Sequence, residues 1–273
     1  MLTPGMERRL RSFLEDDISE GDITGNLAAV KEATAKIRLK ENAIVAGIEE
    51  SMFLFRIRGC SVKALAEDGQ RAEKNVFVLE VNGENRAILS VERTALNILG
   101  RMSGVATACA KAAEAAKPCK VALTRKTMPG LNEFDRKAAV LAGADTHRLN
   151  LSEMVLIKSN HLKFFGSVGE AVKTAKEKTS FSKKVEIEVM NLEEALEAAG
   201  AEPDIIMLDN FSADAAKKAA VEIRKINPKI LVECSGGITL QNIKDYALAE
   251  PDIISMGELT KNAKSVDYSL SII

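Results

Sequence analysis

Residues 204–237, DIIMLDNFSADAAKKAAVEIRKINPKILVECSGG, decide how this chain folds. An aliphatic run, DIIMLD, stops at Asp209-Asn210. A stretch of good helix formers, SADAAKKAAVEIRKI, comes next. A second aliphatic run, KILVEC, then ends in Ser235-Gly236-Gly237. Strand, helix and strand joined by short turns form a unit of a parallel sheet.

The same alternation extends in both directions. KVALT (120–124), MVLIK (154–158), KVEIEV (184–189) and DIISMG (252–257) read as further strands. EFDRKAAVLAGA, SVGEAVKTAKEK, NLEEALEAAG and TLQNIKDYALA read as helices between them. Closed barrels and open doubly wound sheets both show this pattern, and the residues just after each strand separate the two. Thr124-Arg125-Lys126 come at the end of the first strand. Lys158, Asn160 and His161 come at the end of the second, and Glu186 and Glu188 share one face of the third. Asp209-Asn210, Ser235-Gly236-Gly237 and Met256-Gly257-Glu258 end the others. Polar groups at the ends of many strands suit a barrel, whereas a dinucleotide-binding sheet concentrates its signal in one GxGxxG turn, and none occurs here.

Upstream the character differs. Residues 6–17 carry Leu10, Phe13 and Leu14 at helical spacing, and residues 34–48 alternate as a strand leading to a turn. Residues 49–59 read as helix, and Asp68-Gly69 and Asn82-Gly83 mark turns between strands. The small-residue stretch 91–117 predicts a long helix weakened near Ser103-Gly104. The expectation is an α+β domain over 1–105 and an α/β barrel over 106–273, with the last residues able to pack back on the first domain.

Composition limits the function classes. The 273 residues are 46% hydrophobic but only 4% aromatic, with no Trp, so the core is aliphatic. Net charge is -1, from 38 basic and 39 acidic residues, so no global field favours nucleic acid or an acidic membrane. The four cysteines form no CxxC pair, which gives no disulfide scaffold or metal framework. The charged start and the lack of an apolar run near 18 residues predict a soluble, cytoplasmic protein.

Arg125, Lys126, Arg148 and Lys158, with His147, make a cationic set at strand ends. Like charges gathered so closely predict a polyanionic ligand with carboxylates, phosphates or both. The turns at Ser235, Gly236, Gly237 and Gly257 suit phosphate held on backbone N–H groups. Glu188 and Asp209 could hold sugar hydroxyls, a Mg²⁺ ion or a developing positive charge, or pair with the nearby cations.

ERTALNILGRMSGVAT, TRKTMPGL, HRLNLSEMVLIKSNH, EIEV, IIMLDN, ECSGGITLQNI and IISMGELT occur in an order that closely resembles the quinolinate phosphoribosyltransferase family, over nearly the whole chain. The resemblance implies a sandwich-like N-terminal α+β domain and an incomplete, seven-stranded α/β barrel. It implies transfer of phosphoribosyl from 5-phosphoribosyl 1-diphosphate to quinolinate with loss of CO₂, in de novo NAD biosynthesis, with Mg²⁺. It also implies a homodimer, or a multiple of dimers, with shared active sites. Carried over by motif, Thr124, Arg125, His147, Arg148 and Lys158 bind quinolinate, and Arg93 reaches in from the partner subunit. Lys126, Glu188 and Asp209 take the catalytic places, the two acids also serving the metal-linked donor. Ser235, Gly236, Gly237 and Gly257 cradle the 5-phosphate. Leu123, Thr146 and Ser159 depart from the family pattern of Asp, Asn and Asp. These departures lean toward the related ModD-type proteins linked to molybdenum transport, while Lys158 argues against that branch.

Overall fold

The computed structural model describes residues 1–273, and the chain divides into two units that interleave along the sequence. The first comprises Met1–Ala110, Met128–Gly143 and Asn262–Ile273; the second comprises Lys111–Thr127 and Ala144–Lys261.

Strands β1 (Glu32–Leu39), β2 (Ala43–Ile44), β3 (Ser61–Ala64), β4 (Arg71–Ala72) and β5 (Phe77–Glu84) lie in the first unit. The C-terminal strand Tyr268–Ile272 joins them in an antiparallel sheet ordered C-terminal strand, β1, β5, β3, while β2 and β4 pair separately. Ala35, Ile37 and Leu39 are fully buried and alternate with half-exposed residues, the period of two that a one-sided sheet requires.

The long helix runs from Asn85 to Ala115 without a break. It starts earlier than residue 91: β5 runs through Asn82-Gly83, where a turn between strands was expected, and the following NRAILS is the first part of the helix and not a further strand. Nor do Ser103 and Gly104 weaken it. The residues near Gly100 and Gly104 are packed against the C-terminal segment: Val266 N–H donates to the Gly100 carbonyl at 3.0 Å. A Cβ at Gly100 would sit 2.7 Å from the Val266 carbonyl oxygen, so the glycine is spent on close approach of another backbone.

EFDRKAAVLAGA forms a helix, Asn132–Leu141, but in the first unit and not among the barrel helices. Its Asp135 is fully buried and accepts from Arg101 Nε and Nη2, both at 2.8 Å. This fork-to-fork pair bonds the helix to the long one. Asp135→Ala removes both acceptors from a buried guanidinium, at about 3–5 kcal/mol. A thermal midpoint lowered by on the order of 10 °C is the expected result in a melting experiment.

In the second unit, β6 (Lys120–Ala122), β7 (Val155–Ile157), β8 (Val185–Val189), β9 (Ile205–Asp209), β10 (Leu231–Ser235) and β11 (Ile253–Ser255) form one parallel sheet, ordered β6-β11-β10-β9-β8-β7. Helices Val168–Lys178, Leu192–Gly200 and Ala213–Ile226 return the chain between strands. Each starts on a side-chain cap: Ser167, Asn191 and Ser212 accept from the N–H of Glu170, Glu194 and Ala215. A one-residue parallel bridge, Ala122 to Asp145, adds a seventh position beside β6. That single bridge is all the ladder the expected seventh strand makes.

The sheet curls into an open barrel. In its order, the Asp145 position lies three steps from β10 and five from β8. At about 4.8 Å per step, a flat sheet would separate them by roughly 14 and 24 Å. Yet His147 Nε2 is 3.1 Å from Glu233 on β10 and 3.5 Å from Glu186 on β8. The two edges therefore approach around an interior that these side chains fill. No helix in the chain is long and apolar enough to cross a membrane.

Candidate active site

Strand parity determines which groups enter the barrel. In parallel pairing, Glu188 lies beside Met207, Met207 beside Glu233, and Asp209 beside Ser235. Successive registered residues share a face, so Glu186, Glu188, Asp209, Glu233 and Ser235 all face one side. All five residues of β8 are buried, Glu186 and Glu188 included.

Beyond the strand ends the chain forms two adjoining cavities. The inner one, about 310 Å³, is lined by Thr124, Arg125, His147, Arg148, Ser235 and Ser255, among others. The outer one, about 440 Å³, is lined by His161, Glu188, Asn210, Gly236 and Gly237, among others. Lys126, Lys158 and Asp209 line both and mark their junction. A larger cavity of about 770 Å³ opens where the strands begin, at Lys120, Ile205, Leu231 and Ile253. Size does not decide here: that end of a barrel serves stability, and chemistry sits where the strands end.

Two guanidiniums face the inner cavity. Arg148 is buried, and burial, then the neighbouring Arg125, push its pKa below the ordinary value, with Glu186 opposing. Its weak bond to the Met154 carbonyl, at 3.5 Å, does not neutralise it. The pair presents a positive field matched to an anion with planar oxygens.

At the junction, Lys158 Nζ pairs with Glu188 Oε2, and the Ser159 N–H reaches Glu188 Oε1 at 3.4 Å. Ser159 thus bonds Glu188 through its backbone, a contact its identity does not control. Burial, then Glu188, raise the pKa of Asp209, which also accepts from Asn210 Nδ2 at 2.7 Å. Lys126 is exposed, held by Thr124 Oγ1 on its N–H at 3.2 Å and by Thr260 on its carbonyl at 2.8 Å. Two facing carboxylates in the outer cavity are hard oxygen donors of the kind that Mg²⁺ accepts beside phosphate.

Gly236 has φ +88°, and a Cβ there would meet the Asn210 backbone nitrogen at 2.7 Å. Gly237 has φ +62° with open space beside it, and Gly257 lies against Lys126, a Cβ there reaching Lys126 Cδ at 3.2 Å. These glycines line or adjoin the cleft by necessity of space or backbone angle. Leu123 is fully buried and its N–H donates to the Asp145 carbonyl at 2.9 Å, so the departure at this position adds apolar packing and no charge.

His147, Glu186 and Glu233 form a cluster whose ligand atoms lie within 4.8 Å of one another. Burial disfavours charge on the imidazole, but the bonds to Glu186 and Glu233 outweigh it and lift the pKa to about 10. Against that, the Arg148 backbone N–H donates to His147 Nδ1 at 2.7 Å, which requires a lone pair there. The hydrogen bond takes precedence because its geometry leaves no room for a proton on Nδ1. The ring then carries its hydrogen on Nε2, and burial raises the pKa of the neighbouring Glu186. An imidazole that binds a metal through Nε2 donates from Nδ1; here Nδ1 instead accepts from the Arg148 N–H.

Of the residues singled out in the sequence, Thr124, Arg125, Lys126, His147, Arg148, Lys158, Glu188, Asp209, Ser235, Gly236 and Gly237 line the two cavities, and Gly257 adjoins them. Arg93 does not: it is exposed on the long helix in the first unit. Glu233 and Ser255 were missed. Period-two parity could have found Glu233, an acid two residues before Ser235 on the same face of an aliphatic strand.

A barrel whose strand ends gather cations around a two-part cleft, with a glycine turn at one end, is the framework of an enzyme for small polyanionic substrates. The chain belongs to the quinolinate phosphoribosyl transferase family: residues 22–103 match its N-terminal domain and residues 105–271 its C-terminal domain. It is 45% identical to a probable nicotinate-nucleotide pyrophosphorylase (carboxylating) of Methanocaldococcus jannaschii, covering 97% of this chain and 96% of that one. It is 35% identical to the human nicotinate-nucleotide pyrophosphorylase (carboxylating), covering 96% and 89%. The solved nicotinate-nucleotide pyrophosphorylase of Francisella tularensis superposes with a TM-score of 0.94 at 34% identity, over 100% of this chain and 98% of that one.

Proposed function

We propose that this chain transfers phosphoribosyl from 5-phosphoribosyl 1-diphosphate to quinolinate, releasing CO₂ and diphosphate and giving nicotinate mononucleotide. The observation that carries this reading is the inner cavity, where Arg125 and a buried Arg148 face the same small space. A pyridine dicarboxylate suits that pair, with Lys158 and Thr124 at its edge. The outer cavity and its margin suit the donor: Gly236 and Gly237, with Ser235 of the inner cavity and the adjoining Gly257, for the 5-phosphate, Glu188 and Asp209 for the ribose, and Lys126 between the substrates.

The chemistry is set by charge. The bond from the anomeric carbon to diphosphate breaks and the leaving group takes the electron pair, with Lys126 beside it. Glu188 and Asp209 offset the positive charge that develops on the ribose. The pyridine nitrogen then bonds to the anomeric carbon. The ring becomes cationic and accepts the electron pair of the 2-carboxylate as CO₂ leaves, and a proton replaces it on carbon. Glu188 and Asp209 would also hold Mg²⁺, which supplies charge neutralisation for the diphosphate. No nucleophilic side chain is required.

We further propose a homodimer, or a multiple of dimers, in which Arg93 of the partner subunit completes each site, working in the cytoplasm. Four buried, unpaired cysteines suit a reducing compartment.

Quinolinate labelled in the 2-carboxylate tests the reaction: label should leave as CO₂ only when donor and Mg²⁺ are both present. No release from purified protein would overturn it, and turnover of nicotinate instead of quinolinate would assign a different acceptor. Gly236→Ala should raise KM for the donor about 10- to 100-fold in the same assay, since the added Cβ strains the turn at a positive φ and presses on Asn210.

A further inference from the structure

We infer that Asn210 is a positioning residue for Asp209, its side-chain amide holding that carboxylate in place for the ribose. The inference rests on the reading of the outer cavity as the donor site.

Asn210 follows the last residue of β9 and has φ +57°. Asparagine is one of the few residues other than glycine that adopt this angle readily. Tolerance of the angle alone would account for an asparagine here, and glycine would then serve as well. The side chain is engaged, though. Asn210 Nδ2 donates to Asp209 Oδ2 at 2.7 Å, the one hydrogen bond that the chain gives this carboxylate. Asp209 Oδ1 accepts nothing from the chain and is left for a ligand of the outer cavity.

Asn210 is itself fixed by the neighbouring strand. Its backbone N–H donates to the Ser235 carbonyl at 2.9 Å, which extends the pairing of β9 and β10 one step past Asp209 and Ser235. Its side chain lies against the glycine turn: a Cβ on Gly236 would meet Asn210 Oδ1 at 2.4 Å and Cγ at 2.6 Å. The space that a side chain at 236 would fill is taken by the Asn210 amide, which is pinned between Gly236 and Asp209. Asp209 needs such a hold. It shares a face with Glu188 on the next strand, like charges repel, and Lys158 is paired with Glu188. A carboxylate that offsets charge in a transition state must already point at that charge. The amide keeps Asp209 there and sets its distance from the turn that takes the 5-phosphate.

Asn210→Gly separates the two readings, because glycine keeps the left-handed turn and removes only the amide. If Asn210 serves just its own backbone angle, the variant behaves as the unmodified protein. If it positions Asp209, kcat should fall about 10- to 100-fold while KM for quinolinate and for the donor each stay within about threefold, since the loss falls on charge that develops only in the transition state. Asn210→Asp keeps the shape and the angle but sets a carboxylate oxygen against Asp209 in place of a donor, so its kcat should fall at least as far. Melting curves of the full-length variants check that both fold, and the aspartate variant stands in should the glycine one not. In an Asp209→Ala background the glycine substitution should cost less than about threefold more, because no carboxylate remains to be positioned.

An unmodified kcat in either folded variant would overturn this inference alone. So would a raised donor KM at unchanged kcat, or a loss that persists in full in the Asp209→Ala background. If the unmodified protein turns over no quinolinate, both this inference and the reading of the cleft fail.

Discussion

Arg148→Ala should lower kcat/KM for quinolinate by about a hundred- to a thousandfold. Arg148 is buried, whereas Arg125 and Lys126 are exposed. A charge already stripped of water gains more from an incoming carboxylate than one that must first lose its hydration. Truncating one partner of a buried, hydrogen-bonded charge pair costs about 2–5 kcal/mol, and every 1.4 kcal/mol is tenfold. The loss should fall on quinolinate, since Arg148 lines the inner cavity and not the outer one. Steady-state kinetics with each substrate varied in turn would check this. Arg148→Lys should recover only part of the rate, because an ammonium lacks the planar fork. A loss below about fivefold in Arg148→Ala would remove the argument for a carboxylate at this place.

Mixing two inactive variants, Arg93→Ala and Arg125→Ala, should restore about a quarter of the unmodified activity once subunits exchange. That fraction is a consequence of symmetry in a closed dimer. Random exchange of equal amounts makes half of the dimers mixed. In a mixed dimer, one site takes both Arg125 and Arg93 of the partner subunit intact, while the other lacks both. One site in two, in one dimer in two, is active. A site complete within one subunit would give no recovery at all. Exchange should be verified by mass, and verified exchange without recovered turnover would overturn the shared site. Arg93 is exposed on the long helix and lines neither cavity of its own barrel, as a residue acting in trans requires.

Much of the cleft was legible in the sequence because its signals are local. Asp209-Asn210 and Ser235-Gly236-Gly237 stand where aliphatic runs end, and a parallel strand must deliver its last residues to one rim. Glu188 could be placed beside them from the pleat alone. The helix Asn132–Leu141 shows the limit of such reasoning. Its helical character was plain, but the unit it joins was decided by Asp135 meeting Arg101, a contact between residues far apart in the chain. Likewise the weak point expected at Ser103-Gly104 vanished because the C-terminal segment packs against that helix.

The sequence by itself determined the parallel barrel, the rim on which its polar residues fall and the sign of charge that rim gathers. Those properties arise from hydrophobic period, turn chemistry and strand direction, which neighbouring residues encode. Only the tertiary structure decided what surrounds His147. Its charge and position mark it as one more cation for the substrate. The curl of the sheet brings it against Glu233, 86 residues away, and commits both nitrogens to the protein. Which polar groups surround His147 depends on where a distant strand places its buried acid, and no local pattern carries that information.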